Sequence, residues 1–286
     1  MKFKFLFKLF YKISLLLISQ FFSYKKLKLP KSKVSSFIIF PNPKLIYQLK
    51  FQNGISCRGV SFENIYYDPM GKALSVFCDG INKETKIKFK QLLLDSSLLE
   101  INKKSGYYFK SIGIEIKNNY PLWSQVWPWE EISHDYKTRI YPNAYSLNRN
   151  LQLQKSLFGE LDINIKKFPY TDLATELHLI QFLDLYMKFT TFKLSKNTFK
   201  HDTLPNFILL VDGDNWKWMA GSEGNHRMYI LNFLQYPFLT ATLHKIIRKN
   251  EVDLWPNVRN GFYSRDDALN IFSALFKGKY NLAGLI

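Results

Sequence analysis

The stretch from Phe207 to Ile247 constrains this chain more than any other. Phe207 to Val211 is an apolar run of strand length. It ends in Asp212-Gly213-Asp214-Asn215, where Gly and Asn tolerate positive φ, so the chain turns back on itself. Trp216 to Ala220 is the return strand, and Gly221-Ser222-Glu223-Gly224-Asn225 is a glycine loop. His226 to Leu234 reads as a helix with Asn225 as its N-cap, and a further strand runs from about Leu239 to Ile246. Hairpin, loop, helix and strand in this order predict an α+β fold.

Helical signals flank this core. Thr171 or Asp172 caps a helix running to about Lys188, with Leu173, Leu177, Ile180 and Leu183 on one face. His178 on that helix reads as an ordinary surface or packed histidine, not a ligand. Ser264 opens a last helix in a capping-box arrangement with Asp267, and Ala268, Ile271, Phe272 and Leu275 form its buried face. Between them lies Trp255-Pro256-Asn257-Val258-Arg259, which would cover a ligand or cap the core.

The first part of the chain reads differently. Ser36 to Phe40, Leu45 to Phe51, Ala73 to Cys78, Thr85 to Phe89 and Tyr107 to Ile116 read as short strands. Lys86, Lys88 and Lys90 alternate with Ile87 and Phe89, as on a half-exposed strand. Asp68-Pro69-Met70-Gly71 and Asp79-Gly80 read as turns. Residues 34–120 are therefore expected to form a small antiparallel β module, and residues 121–286 the main α+β domain. Trp123, Trp127 and Trp129 crowd the junction, and residues 134–168 read as a long connection or covering loop.

Charge sets residues 1–33 apart. The first 62 residues carry 12 of the 40 Lys and Arg and none of the 23 Asp and Glu, out of a net charge of +17. Ile13 to Tyr24 is uncharged and mostly apolar, too short to span a bilayer, which needs about 20 residues. An amphipathic segment lying on an anionic membrane surface is the expectation. A signal or signal-anchor, or a helix packed on the protein's own body, are the alternatives. The Lys residues are interleaved with aliphatic runs, which fits nucleic acid poorly. Cys57 and Cys78 form no CxxC pair, so a zinc site is not expected, and free buried thiols in a reducing compartment are. The expected location is the cytoplasm, peripheral on the inner membrane face.

The chemistry lies at the glycine loop. A helix start offers backbone N–H groups without intrahelical partners and about half a positive charge. Gly221 and Gly224 let the backbone approach a ligand closely. Arg227 brings a forked donor matched to phosphate oxygens, and His226 can donate a hydrogen bond or move a proton near neutral pH. Arg227 opposes the helix dipole, an arrangement that makes sense if an anion sits between them. Ser222 belongs to the same cradle, and Glu223 would orient Arg227 or reach a metal ion.

Gly224-Asn225-His226-Arg227, preceded by the hairpin Leu210 to Ala220, resembles the phosphate-binding loop of the ParB/sulfiredoxin-like superfamily. The resemblance covers roughly residues 121–250. In sulfiredoxins the corresponding loop reads Gly-Cys-His-Arg and holds ATP phosphates. In ParB proteins a Gly-Glu-Arg-Arg-like box binds CTP, and some relatives are free-serine kinases. The resemblance implies a site for ATP or CTP with Mg²⁺. Asn225 stands where sulfiredoxins have their catalytic cysteine, which removes sulfinic-acid reduction. The second Arg of the ParB box is missing, as is a downstream helix-turn-helix. Kinase-type relatives take a base from the loop after the first strand, which maps to Glu130 or Glu131. Two functions follow as expectations. One is a nucleotide-dependent small-molecule kinase or NTPase. The other is a non-catalytic, membrane-associated binder of an anionic, sugar-phosphate-like ligand.

Overall fold

The computed structural model describes residues 46–102, 120–140, 169–190 and 204–278. Strand β1 (Ile46–Lys50) and the short β2 (Gly54–Ile55) come first, followed by helices α1 (Pro69–Ser75) and α2 (Lys83–Asn102). Helices α3 (His134–Ile140) and α4 (Asp172–Thr190) precede the hairpin of β3 (Asn206–Asp212) and β4 (Asn215–Ala220). Helix α5 (Asn225–Phe233), strand β5 (Phe238–Arg248), helix α6 (Pro256–Arg259) and helix α7 (Arg265–Phe276) complete the described chain.

The strands form one mixed five-stranded sheet in the order β1-β5-β3-β4-β2. β3 pairs antiparallel with β4 and parallel with β5, while β1 lies antiparallel on the outer side of β5. β2 runs parallel to β4, so both strands point toward the same end of the sheet. That end carries Ser56-Cys57-Arg58 after β2 and Gly221 to Gly224 after β4. The β3–β5 register slips by one residue after Phe207, which pairs with Leu243 while Ile208 pairs with Lys245. Such a bulge changes which side of a strand faces the core. Leu239, Ala241 and Leu243 face one cluster with Ile246, and Ile247 faces the other.

Alternation along β3 separates the two cores. Phe207, Leu209 and Val211 face a cluster built with α1, α2, α4 and α5. Leu210 faces a second cluster of Trp127, Trp129, Trp255, Tyr263 and the buried side of α7. The α+β class is as the sequence indicates. The expected helix from Asp172, the hairpin, the strand after α5 and the Ser264-capped helix are present, with Ala268, Ile271, Phe272 and Leu275 buried. Thr171 caps α4 through its hydroxyl, which accepts from the Ala174 N–H at 3.1 Å.

The antiparallel β module expected at residues 34–120 is corrected. Ala73 to Cys78 is helical, and Thr85 to Phe89 lies inside α2. The cause is the period of burial. Phe89 and Leu93 are fully buried one helical turn apart, whereas Ile87 is 56% exposed. Asn82 and Thr85 exchange reciprocal hydrogen bonds at the start of α2, at 2.9 and 3.0 Å, and this fixes the helix. Asp68-Pro69, read as a turn, is a helix start. The Asp68 carboxylate accepts from the Met70 N–H at 3.0 Å and Pro69 occupies the first turn. The strands described in this region, β1 and β2, add to the two edges of the common sheet, and Leu49, Phe62, Phe89 and Leu93 share a core with α4 and α5. Of the connection expected at 134–168, residues 134–140 are helical, and 141–168 lie outside the described residues. The segment 1–33 and the strands expected at Ser36 to Phe40 and Tyr107 to Ile116 also lie outside them. Among the described residues, no helix is long and apolar enough to cross a membrane.

Candidate functional site

The glycine loop is built on Asn206, the first residue of β3. Its carbonyl accepts from the Gly221 N–H at 2.9 Å, and its N–H donates to the Glu223 carbonyl at 3.2 Å. Its side-chain oxygen accepts from the Glu223 N–H at 3.1 Å. One asparagine thus closes both ends of the loop. Gly221 is required by this closure, because a Cβ there would stand 2.0 Å from Asn206 Oδ1. Gly224 has φ +78°, and a Cβ on it would meet Pro205 at 2.7 Å.

Gly224, not Asn225 as the sequence suggested, is the N-cap of α5. A left-handed glycine swings the chain into the helix and has no side chain to offer its leading amides. The first helical hydrogen bond runs from the Met228 N–H to the Gly224 carbonyl at 3.1 Å. The N–H groups of Asn225, His226 and Arg227 precede it. No acidic residue occupies this first turn. The Asn225 Oδ1 atom is buried without a hydrogen-bond partner among the described residues. Ser222 and Glu223 are exposed, and Asn225, His226 and Arg227 are half-buried.

His226 is the site residue whose surroundings the sequence concealed. Its Nε2 lies 2.9 Å from Nδ1 of His178 on α4, so one ring donates and the other accepts. Phe182 meets the His226 ring edge-on at 4.9 Å, and Tyr170 lies 5.1 Å from His178. His178 is 7% exposed, the packed alternative of the two that its place on a helix allowed.

A second set of polar groups surrounds Asp68, which is fully buried. Its carboxylate accepts from Ser56 Oγ at 2.9 Å and from the Tyr229 hydroxyl at 2.7 Å, besides the Met70 N–H. The Arg58 guanidinium stands 3.7 Å away. Tyr229 belongs to α5, so Asp68 ties the loop after β2 to the helix that carries the glycine loop. Burial and the adjacent Asp68 charge raise the Tyr229 phenol well above its usual range. Burial also raises the Cys57 thiol, against the opposing pull of Arg58. Cys57 is half-buried and Cys78, expected inside, is exposed; both are free.

Glu130 and Glu131 lie in the tryptophan-rich turn, which packs on the sheet face away from α5. Glu130 Oε2 accepts from the Trp127 N–H at 2.7 Å and pairs with Lys137 at 3.2 Å. Glu131 pairs with Lys245 at 3.4 Å and is 60% exposed. Asn257 clamps the same turn, donating to the Trp127 and Glu130 carbonyls at 2.9 and 3.0 Å. Trp255 is fully buried against Trp129 and Phe272, so it caps the core. Residues Gly221, Ser222, Gly224, Asn225, His226 and Arg227 come together as one loop and helix start, while both glutamates serve another turn. Comparison with protein-family models, with curated proteins and with solved structures finds no match to this chain.

Proposed function

We propose that the protein binds a phosphate-bearing ligand, a nucleotide such as ATP or CTP or a phosphorylated small molecule, at Gly221 to Arg227. One observation carries this reading: a braced glycine loop feeds three leading amides and Arg227 into one helix start, beside a buried Asn225 oxygen lacking a partner. Such a start attracts anions through its N–H groups and dipole. The orphaned Asn225 oxygen would accept from a ligand hydroxyl, or the amide would rotate and donate to a phosphate oxygen. Among the described residues no group of three His, Cys, Asp or Glu suits a metal ion. Mg²⁺ would accompany the ligand's phosphates and neutralise their charge. The resemblance to the ParB/sulfiredoxin-like loop agrees with this chemistry.

The non-catalytic form of the proposal is favoured over a kinase or NTPase. Its support is the engagement of Glu130 by a backbone N–H and Lys137, which opposes use as a base. Calorimetry with ATP, CTP and ADP, each with Mg²⁺, tests the reading. Binding is expected in the wild type, weakened about tenfold or more in Arg227→Ala, the scale of one lost charge-assisted pair. Absence of heat with every nucleotide and with inorganic phosphate would refute it. Turnover of ATP would restore the enzyme reading.

A further inference from the structure

The pairing of His178 with His226 places a proton-binding device in the first turn of α5, and its consequences follow from elementary titration chemistry. The contact is Nδ1 to Nε2 at 2.9 Å, so a single hydrogen lies between the two rings. In the neutral pair one imidazole donates and the other accepts. A first added proton, taken on an outer nitrogen, leaves this bond in place and makes it charge-assisted. A second proton would put hydrogen on both facing nitrogens and two like charges in contact, which breaks the pair. The two histidines therefore act as one site for one proton, because a second would break the contact.

Among the described residues, these charges lie near the pair. On α4, Glu176 is engaged by Lys90 of α2 at 2.6 Å, and Asp172 and Asp184 lie at other turns. On α5, Tyr229 is bound to Asp68, which also faces Arg58. Arg227 adjoins His226 in the chain, the dipole of α5 points its positive end here, and the exposed Glu223 lies in the preceding loop. Tyr170 borders His178, and Phe182 walls His226. The positive end of α5 opposes protonation of the pair. An anion seated on the leading amides reverses that field.

We infer that anion binding at Gly221 to Arg227 is coupled to uptake of one proton by the His178–His226 pair, with His178 the positioning residue that makes His226 protonatable. This rests on the anion-site reading above and adds its regulation. The direction follows from linkage. Binding raises the proton affinity of the pair, so the ligand binds most tightly at mildly acid pH and loses affinity as pH rises through the titration of the bound pair.

The test follows backbone amide signals of Asn225 to Met228 by NMR during titration with sulfate, whose charge stays constant over this range. Wild-type protein is expected to bind sulfate about tenfold more tightly near pH 6 than near pH 8, within the limit set by one proton. His178→Leu leaves His226 as a lone imidazole against Phe182, and should cut the difference at least threefold. His178→Asn presents an oxygen close to the position of Nδ1, still accepts from His226 Nε2, and should restore most of the difference. A merely structural role for His178 would change affinity equally at both pH values. Equal wild-type affinities at the two pH values, or a His178→Leu protein that keeps the full wild-type dependence, would overturn the coupling through the pair and leave the anion site standing. If neither sulfate nor ADP moves these amides at either pH, the anion site falls and the coupling falls with it.

Discussion

The two conspicuous stretches of this sequence, Gly224 to Arg227 and Trp127 to Glu131, lie on opposite faces of one sheet and treat their polar atoms differently. The tryptophan turn closes on itself. Glu130 binds the N–H of Trp127, Lys137 joins Glu130, and Asn257 takes the carbonyls of Trp127 and Glu130. The glycine loop is braced from behind by Asn206, while its forward amides precede the first helical bond. One region uses its hydrogen-bonding groups to hold its own shape. The other is held from behind by Asn206. Richness in aromatic and charged residues does not distinguish these cases; the direction of the hydrogen bonds does.

The largest effect that tests this contrast comes from Asp68, the buried carboxylate behind the glycine loop. Asp68→Ala would strand the Ser56 and Tyr229 hydroxyls and the Met70 N–H, and would leave Arg58 without its carboxylate. Breaking a buried charged network in this way costs about 4 kcal/mol. Urea unfolding should show a lower midpoint with an unchanged slope. A loss under about 1 kcal/mol would mean that α5 is positioned by apolar packing alone.

A smaller effect probes the other face through pH. His134 is buried between the rings of Tyr120 and Phe262, each 4.3 Å away. Burial first, and Lys137 second, lower its pKa from 6.5 to about 4. The folded protein therefore binds fewer protons here than the unfolded chain between these values. The stability due to the neutral ring is complete above pH 6.5 and is lost as pH falls toward 4, by about 3 kcal/mol. His134→Phe keeps the stack and removes the titration. Its unfolding free energy should lack this part of the acid slope, as chemical denaturation over that pH range would reveal. An unchanged slope would assign the acid sensitivity to other groups.

What the sequence discloses follows the range of the interaction that matters. The hairpin at Asp212 to Asn215, the Thr171 and Ser264 caps and the glycines at 221 and 224 act over a few residues, and each is where local chemistry indicates. Helix α2 escaped because its Lys-Ile-Lys-Phe segment alternates over four residues while its burial repeats every four; its Asn82-to-Thr85 cap was the signal that could have revealed it. Asp68 followed by Pro69 was likewise a helix start in the guise of a turn. The partners of the site are another matter. His178 lies 48 residues from His226, and Asp68 lies 161 from Tyr229. No spacing rule links such pairs, because only the sheet order and the packing of α4 and α1 on α5 bring them together.

The smallest expected effect is the sharpest test of the contrast itself. Glu131 is mostly exposed and meets Lys245 at 3.4 Å, so the pair is screened by solvent. Glu131→Gln should change stability by less than about 0.5 kcal/mol, the range of exposed ion pairs. If the tryptophan turn is architecture, this substitution should also leave nucleotide and phosphate affinity within about twofold of wild type, since it neither reaches the leading amides of α5 nor alters their field beyond the screening length. Glu130→Gln should behave the same toward ligand while weakening the turn by about 1 kcal/mol, through its lost pair with Lys137. Equilibrium unfolding and calorimetry on the same preparations separate the two readouts. A glutamine variant of normal stability that no longer bound or turned over nucleotide would show that the two faces serve one chemistry after all. One of the carboxylates would then regain the role of base that the resemblance implies.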